Sequence, residues 1–173
     1  MKKISIMLLA FFITLACKAQ EHTVFTASKI GDLNALIKFK ESGADFNQTD
    51  SRGFTPLILA VYNNQTEATK YLIANGADVN KGDKSGNTAL MGAIFKGYND
   101  LVKVLIDAKA NVNQVNLNGA SALIFAATFG RIDVVHLLLK HKADKNLKDA
   151  RGKTAYDHAV MQEHEALIRV LKP

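Results

Sequence analysis

Asp50-Ser51-Arg52-Gly53-Phe54-Thr55-Pro56-Leu57-Ile58-Leu59-Ala60 opens a block of 33 residues that starts again, without insertion, at Asp83, Asn116 and Asp149. Gly holds the fourth position each time (Gly53, Gly86, Gly119, Gly152), a hydroxyl residue the sixth (Thr55, Thr88, Ser121, Thr154) and Ala the eleventh (Ala60, Ala93, Ala126, Ala159). Further on, the runs Tyr71-Leu72-Ile73, Val104-Leu105-Ile106 and Leu137-Leu138-Leu139 lead into Gly76-Ala77-Asp78-Val79-Asn80, Ala110-Asn111-Val112-Asn113 and Ala143-Asp144-Lys145-Asn146. Self-similarity at a fixed period of this size marks a repeat architecture in which each block is one supersecondary unit. The same register run backwards sets Ala27 at position eleven, Gly31 at fifteen and Gly43-Ala44-Asp45-Phe46-Asn47 at the loop.

Each block reads as turn, helix, tight link, helix and loop. The Asp-x-x-Gly opening has turn chemistry, because Asp bonds its own backbone and Gly accepts positive φ. Thr55, Thr88, Ser121 and Thr154 stand where a helix N-cap is needed, and Pro56 suits the first helical turn, where its missing N–H is harmless. Leu57, Ala60 and Val61, then Leu90, Ala93 and Ile94, fall at helical spacing and predict one apolar face on the first helix. Ala68, Tyr71 and Leu72, Leu101, Val104 and Leu105, and Val134, Leu137 and Leu138 do the same for the second. Gly97 and Gly130 end first helices, with Asn64 at the equivalent site. Neither helix is long enough to stand alone, so successive pairs must stack.

The pattern resembles the ankyrin repeat, whose period is 33 and whose signature is T-P-L-H-x-A. The resemblance implies an all-α solenoid of about five helix-turn-helix units with β-turn or hairpin-like loops. Within an overall domain at 22–173 these are an N-terminal cap at 22–49, full repeats at 50–82, 83–115 and 116–148, and a shortened C-terminal cap at 149–173. The chain departs from the family pattern in several places. Ala89, Ala122 and Ala155 replace the proline kept at Pro56, and Ile58, Met91, Ile124 and Asp157 stand where the family has His. Lys109 and Lys142 occupy the loop position of Gly43 and Gly76, where a left-handed backbone costs a residue with a Cβ about 1 kcal/mol, so the last two repeats are expected to be the less stable. Glu163 in place of a helix-ending Gly marks the last unit as a capping variant. Gly82 and Gly92 have no assigned part in the repeat.

Residues 1–19 read as a secretory signal peptide: Met1-Lys2-Lys3 is basic, Ile4 to Ala16 is apolar, and small residues follow. The apolar run is shorter than the roughly 20 residues of a membrane span. Two endings stay open. Cleavage after Ala19 releases a soluble chain; alternatively Leu15-Ala16-Cys17 resembles a bacterial lipobox ending before Cys17, which would then be lipidated, although Thr14 departs from the family's usual Leu. Cys17 is the single cysteine, so no intramolecular disulfide forms. The net charge of +6 is partly the leader's: without Lys2, Lys3 and Lys18, 19 basic residues face 16 acidic ones, leaving +3. That is a weak basis for nucleic-acid binding, and none is expected.

Chemistry-bearing patterns are sparse. The five histidines make no HExxH pair. His158 and His164, beside Asp157, Glu163 and Glu165, form the one titratable cluster and read as the solvated end of the cap; the competing reading is a metal-dependent hydrolase using these two histidines. No G-x-S-x-G elbow or phosphate loop occurs. The chain is therefore expected not to be an enzyme, with no cofactor and no metal.

The family resemblance places partner contacts on the concave face, at the turn tips and the exposed side of each first helix. Carried over, these positions include Arg52, Phe54, Tyr62, Lys84, Phe95, Lys96, Phe129, Arg151 and Lys153. Phe54, Tyr62, Phe95 and Phe129 are four aromatics with no evident core duty, interleaved with cations. They imply a protein partner with an acidic surface and one or two apolar knobs, bound by a monomer that meets a membrane only through a lipid anchor at Cys17. An exported, periplasmic or envelope-associated scaffold, inhibitor or stabiliser fits; a toxin-immunity protein and a secreted host-targeting effector remain as alternatives.

Overall fold

The computed structural model describes residues 23–173; residues 1–19, read above as a signal peptide, and Cys17 among them lie outside the described residues. Among the described residues there are ten helices: α1 (Val24–Ile30), α2 (Leu33–Glu41), α3 (Pro56–Tyr62), α4 (Thr66–Ala74), α5 (Ala89–Lys96), α6 (Asn99–Asp107), α7 (Ala122–Thr128), α8 (Ile132–Lys140), α9 (Ala155–Met161) and α10 (Glu165–Leu171). Each spans only seven to nine residues, below the length at which an isolated helix persists in water. None of them is long and apolar enough to cross a membrane.

Local chemistry fixes the start of every first helix. Thr55, Thr88, Ser121 and Thr154 accept from the backbone N–H three residues on, at 3.1, 3.3, 3.4 and 3.3 Å. Pro56 opens α3, and Ala89, Ala122 and Ala155 open the corresponding helices. Ahead of each cap, one side-chain oxygen closes the turn. Oδ1 of Asp50 accepts from Arg52 N and Phe54 N, both at 2.9 Å, and Asp83, Asn116 and Asp149 do the same in their own blocks. The loops have hairpin character, with an isolated antiparallel bridge between Val115 and Ser121.

The first helices α1, α3, α5, α7 and α9 pack one upon the next, and each packs on its own second helix. Ala27, Ala60, Ala93, Ala126 and Ala159 are fully buried along this row, and their small side chains let backbones approach closely. The second helices carry Leu72, Leu105, Leu138 and Leu171 in their own row, all buried, and touch one another less than the first helices do, as in a solenoid whose repeats are rotated slightly along the stack. The single apolar face expected of the first helix is too narrow. Residues 56–61 of α3 and 89–94 of α5 are all buried, because a first helix is enclosed by both neighbours as well as its partner. Met91 and Ile58, at the position of the family His, are part of that buried shell.

Side chains also stitch one loop to the next. Asn47, Asn80 and Asn113 each accept through Oδ1 from the backbone of the following repeat, at Asp78 N, Asn111 N and Asp144 N, over 2.7, 2.7 and 2.8 Å. At the turn tips, Leu117 N donates to Ser85 O and Ala150 N to Asn118 O. Gly92 acquires a role here: a Cβ on it would collide with the Tyr62 ring. Gly82 sits so close to the Gly86 backbone that a Cβ would lie 2.8 Å from its carbonyl carbon.

Asn64, Lys109, Lys142 and Glu163 adopt left-handed φ values of 56°, 65°, 64° and 57°. Glu163 thus takes the same conformation as the glycines it replaces rather than altering the helix end. Replacing Lys142, which is exposed, by glycine should relieve this strain: Lys142→Gly is expected to raise the unfolding free energy by up to about 1 kcal/mol in urea denaturation. A fall in stability would show that the left-handed lysine is not strained.

Candidate functional site

The concave face is built from the turn tips and from the exposed side of α3, α5, α7 and α9. Its four aromatics divide into two kinds. Phe54 and Tyr62 are half-buried and stack on each other, centroids 5.8 Å apart and planes 25° from parallel. Tyr62 leans on Gly92, and its hydroxyl is pushed above the usual phenol range by burial and then by the charge of Asp83. Phe95 and Phe129 are open, 45 % and 39 % exposed, and meet edge to face across two repeats at 5.1 Å.

The cations divide in the same way. Arg52 lies 4.6 Å from the Phe54 centroid and reaches Asp50 Oδ2 at 3.4 Å. Lys84 donates from Nζ to Ser51 O at 2.7 Å, and Arg151 Nη2 lies 3.3 Å from Asp149 Oδ2. Lys96 and Lys153 are exposed and have no ion-pair partner among the described residues.

Between the third full repeat and the last unit, the face deepens into a cavity of about 370 Å³, bordered by Ala120, Phe125, Thr128, Phe129, Arg151 and His158. His158 corrects the sequence reading: it is 6 % exposed, not a solvated residue of the cap. Its Nε2 lies 2.9 Å from Asp149 Oδ2 and its Nδ1 3.0 Å from Thr128 Oγ1, so the ring ties the last turn to α7. His164 faces elsewhere, its ring against Gly130. Among the described residues no group of three His, Cys, Asp or Glu is gathered as a metal ion would require. Thr128 also donates to Ile124 O at 2.8 Å, a bond within its own helix.

Burial alone would raise the Asp149 carboxyl. Hydrogen bonds from Lys153 N, the His158 ring, and the backbone and guanidinium of Arg151 outweigh it and hold the group well below the usual carboxylate range. Asp157 is also lowered, chiefly by the N–H and hydroxyl of Thr154, in a reciprocal capping box. These carboxylates serve turns and caps. The polar groups at the cavity floor satisfy one another, and the arrangement supplies apolar walls and exposed cations, which suits recognition.

A model for three tandem ankyrin repeats matches residues 24–116 and again 94–173, with the two matches overlapping. The chain belongs to the ankyrin-repeat family. No curated protein shows a significant match. Ankyrin repeats are protein–protein interaction modules, and the fold is typically non-enzymatic. Of the positions carried over from the ankyrin pattern, the fold brings Phe95 with Phe129, and Arg151 with Phe129 at the cavity. Phe54, Tyr62 and Arg52 close upon one another. Sequence reasoning passed over His158 as a structural tie. Its signal was available, since Asp149 lies nine residues before it and a buried cap needs its turn anchored, but the Thr128 contact crosses repeats and has no local mark.

Because its folded pKa is lowered, Asp149 stabilises the protein fully above its unfolded value, about 3.9, and that contribution fades as pH falls through the folded value. Asn116 holds the equivalent turn with an amide oxygen, so Asp149→Asn should keep the turn and lose only the charge-assisted bonds to His158 and Arg151. The expected loss is about 1–3 kcal/mol at pH 7, with the gap from the native chain narrowing at pH 3 and below. Urea denaturation at both pH values checks this; an unchanged gap would rule out the carboxylate as its source.

Proposed function

We propose that this protein is a non-catalytic binding module, exported from a bacterial cell, that grips a protein partner with an acidic surface through its concave face. The open Phe95–Phe129 pair carries this reading. Two large rings, held at 5.1 Å with Phe95 on α5 and Phe129 capping the end of α7, form a pre-set apolar anchor, and aromatic anchors dominate interface energetics because they bring large area at little conformational cost. Exposed Lys96 lies next to Phe95 in the chain, while Lys153 supplies a second exposed cation at the last turn tip, its charge also acting on Asp157. Such charges steer an acidic partner and disfavour a basic one. No reaction is assigned, because the titratable groups near the face are taken up in holding the fold.

With the protein immobilised against an envelope extract, Phe95→Ala is expected to weaken capture of the partner by about 2 kcal/mol, roughly thirtyfold in Kd, and Lys96→Glu to slow its association. Lys103→Glu, on the opposite side of the stack, is the control. Equal capture by all three variants would place the binding surface elsewhere.

The basic and apolar start of the chain supports export, either as a soluble periplasmic chain or as a form lipidated at Cys17. Intact mass of the protein from an envelope fraction is expected to show a chain beginning at Gln20, or at a lipid-modified Cys17. A full-length chain retaining Met1-Lys2-Lys3 would refute processing.

A further inference from the structure

The cavity beside the last unit stands where an aromatic pair is missing. Positions five and thirteen of the block carry Phe54 and Tyr62 in the first full repeat, and those rings stack. The same positions carry Ala120 and Thr128 in the third, and both line the cavity of about 370 Å³, large enough for an aromatic side chain and its flanking backbone. A second feature comes from the following block, because position three of the cavity's own block is Asn118. Arg52 is held by its turn aspartate and lies 4.6 Å from the centre of Phe54. Arg151 occupies the same block position and is held by Asp149 in the same way, at 3.3 Å, but Lys153 stands where Phe54 would be. The chain has fixed a guanidinium at the mouth of a cavity and supplied no ring for it.

We propose that this cavity receives an aromatic side chain, phenylalanine or tyrosine, borne on an acidic segment of the partner. The incoming ring lies between Phe129 and Arg151, gaining an aromatic contact from one and a cation–π contact from the other. Acidic residues flanking the ring meet Arg151, which lines the cavity, and Lys153, exposed two residues further along the chain. Asp149 does not repel them strongly, because its carboxylate is already bonded to His158, Arg151 and two backbone N–H groups. The proposal rests on the concave-face reading and names the chemistry that one part of that face selects.

The test uses the peptide Glu-Glu-Phe-Glu-Glu, blocked at both ends, with versions in which Leu replaces Phe or Lys replaces each Glu, followed by amide NMR shifts. The Phe peptide is expected to shift Thr128, Phe129 and Arg151 saturably and to bind about threefold more tightly than the Leu peptide, while the Lys version leaves those amides in place. Filling the cavity by the double substitution Ala120→Phe, Thr128→Tyr should abolish the shifts. Should that variant fail to fold, Arg151→Gln decides, and it is expected to erase the preference for Phe over Leu. Unmoved amides with the Phe peptide, equal binding of Phe and Leu peptides, or an unaffected Arg151→Gln variant would overturn the proposal. Envelope-partner capture that survives cavity filling but is lost in Phe95→Ala would overturn it while leaving the concave-face reading intact.

Discussion

Close approach of the first helices is the constraint on which the rest of this molecule depends. Ala27, Ala60, Ala93, Ala126 and Ala159 are fully buried, and each gives its helix a side small enough to lie against the next. A larger residue at this position would push neighbouring repeats apart, and overpacking of that kind is costly because the interior is already dense. The second helices, with leucine in the matching row, cannot come as near. Repeat stacks of this kind carry a small rotation per unit and so present a concave face, here lined by turn tips and first helices.

Helices of this length have little stability of their own, so most of what holds the protein up lies between units. Apolar burial supplies the bulk of it, while a regular set of polar bonds fixes the register. The turn residues Asp50, Asp83, Asn116 and Asp149 each satisfy two backbone N–H groups with one oxygen. The loop residues Asn47, Asn80 and Asn113 then reach across to the following repeat. His158 makes a further tie at the C-terminal end, where its two ring nitrogens engage Asp149 and Thr128. The acidic and imidazole groups near the face are thus occupied in maintaining it, which leaves aromatic rings and lysines to meet a partner.

Along the face the aromatic character changes from closed to open. Phe54 and Tyr62 stack against each other, Phe95 and Phe129 stand partly free, and Ala120 with Thr128 leave a hollow. On the proposed reading, a face graded in this way selects more than a uniform apolar strip, because a partner would present its own ring at one place and meet ready-made rings at another.

Periodicity in the chain by itself determined the all-α stacked fold, the helix caps, the turns and the left-handed positions at Lys109 and Lys142. All of these depend on contacts within a few residues or on a spacing that repeats every 33, so local chemistry was enough to read them. The same reading carried over a set of side chains for the concave face from the family pattern, but it could not say which of them were free. Tyr62 is partly covered because Gly92 of the next unit makes room for its ring, and Arg52 is engaged because Phe54 lies beneath it. His158, which the chain presents amid acidic neighbours, is buried by a hydroxyl 30 residues earlier. Burial at these positions is decided by how adjoining units meet, and that depends on the distance and angle between stacked helices, a property of the folded assembly that no single block contains.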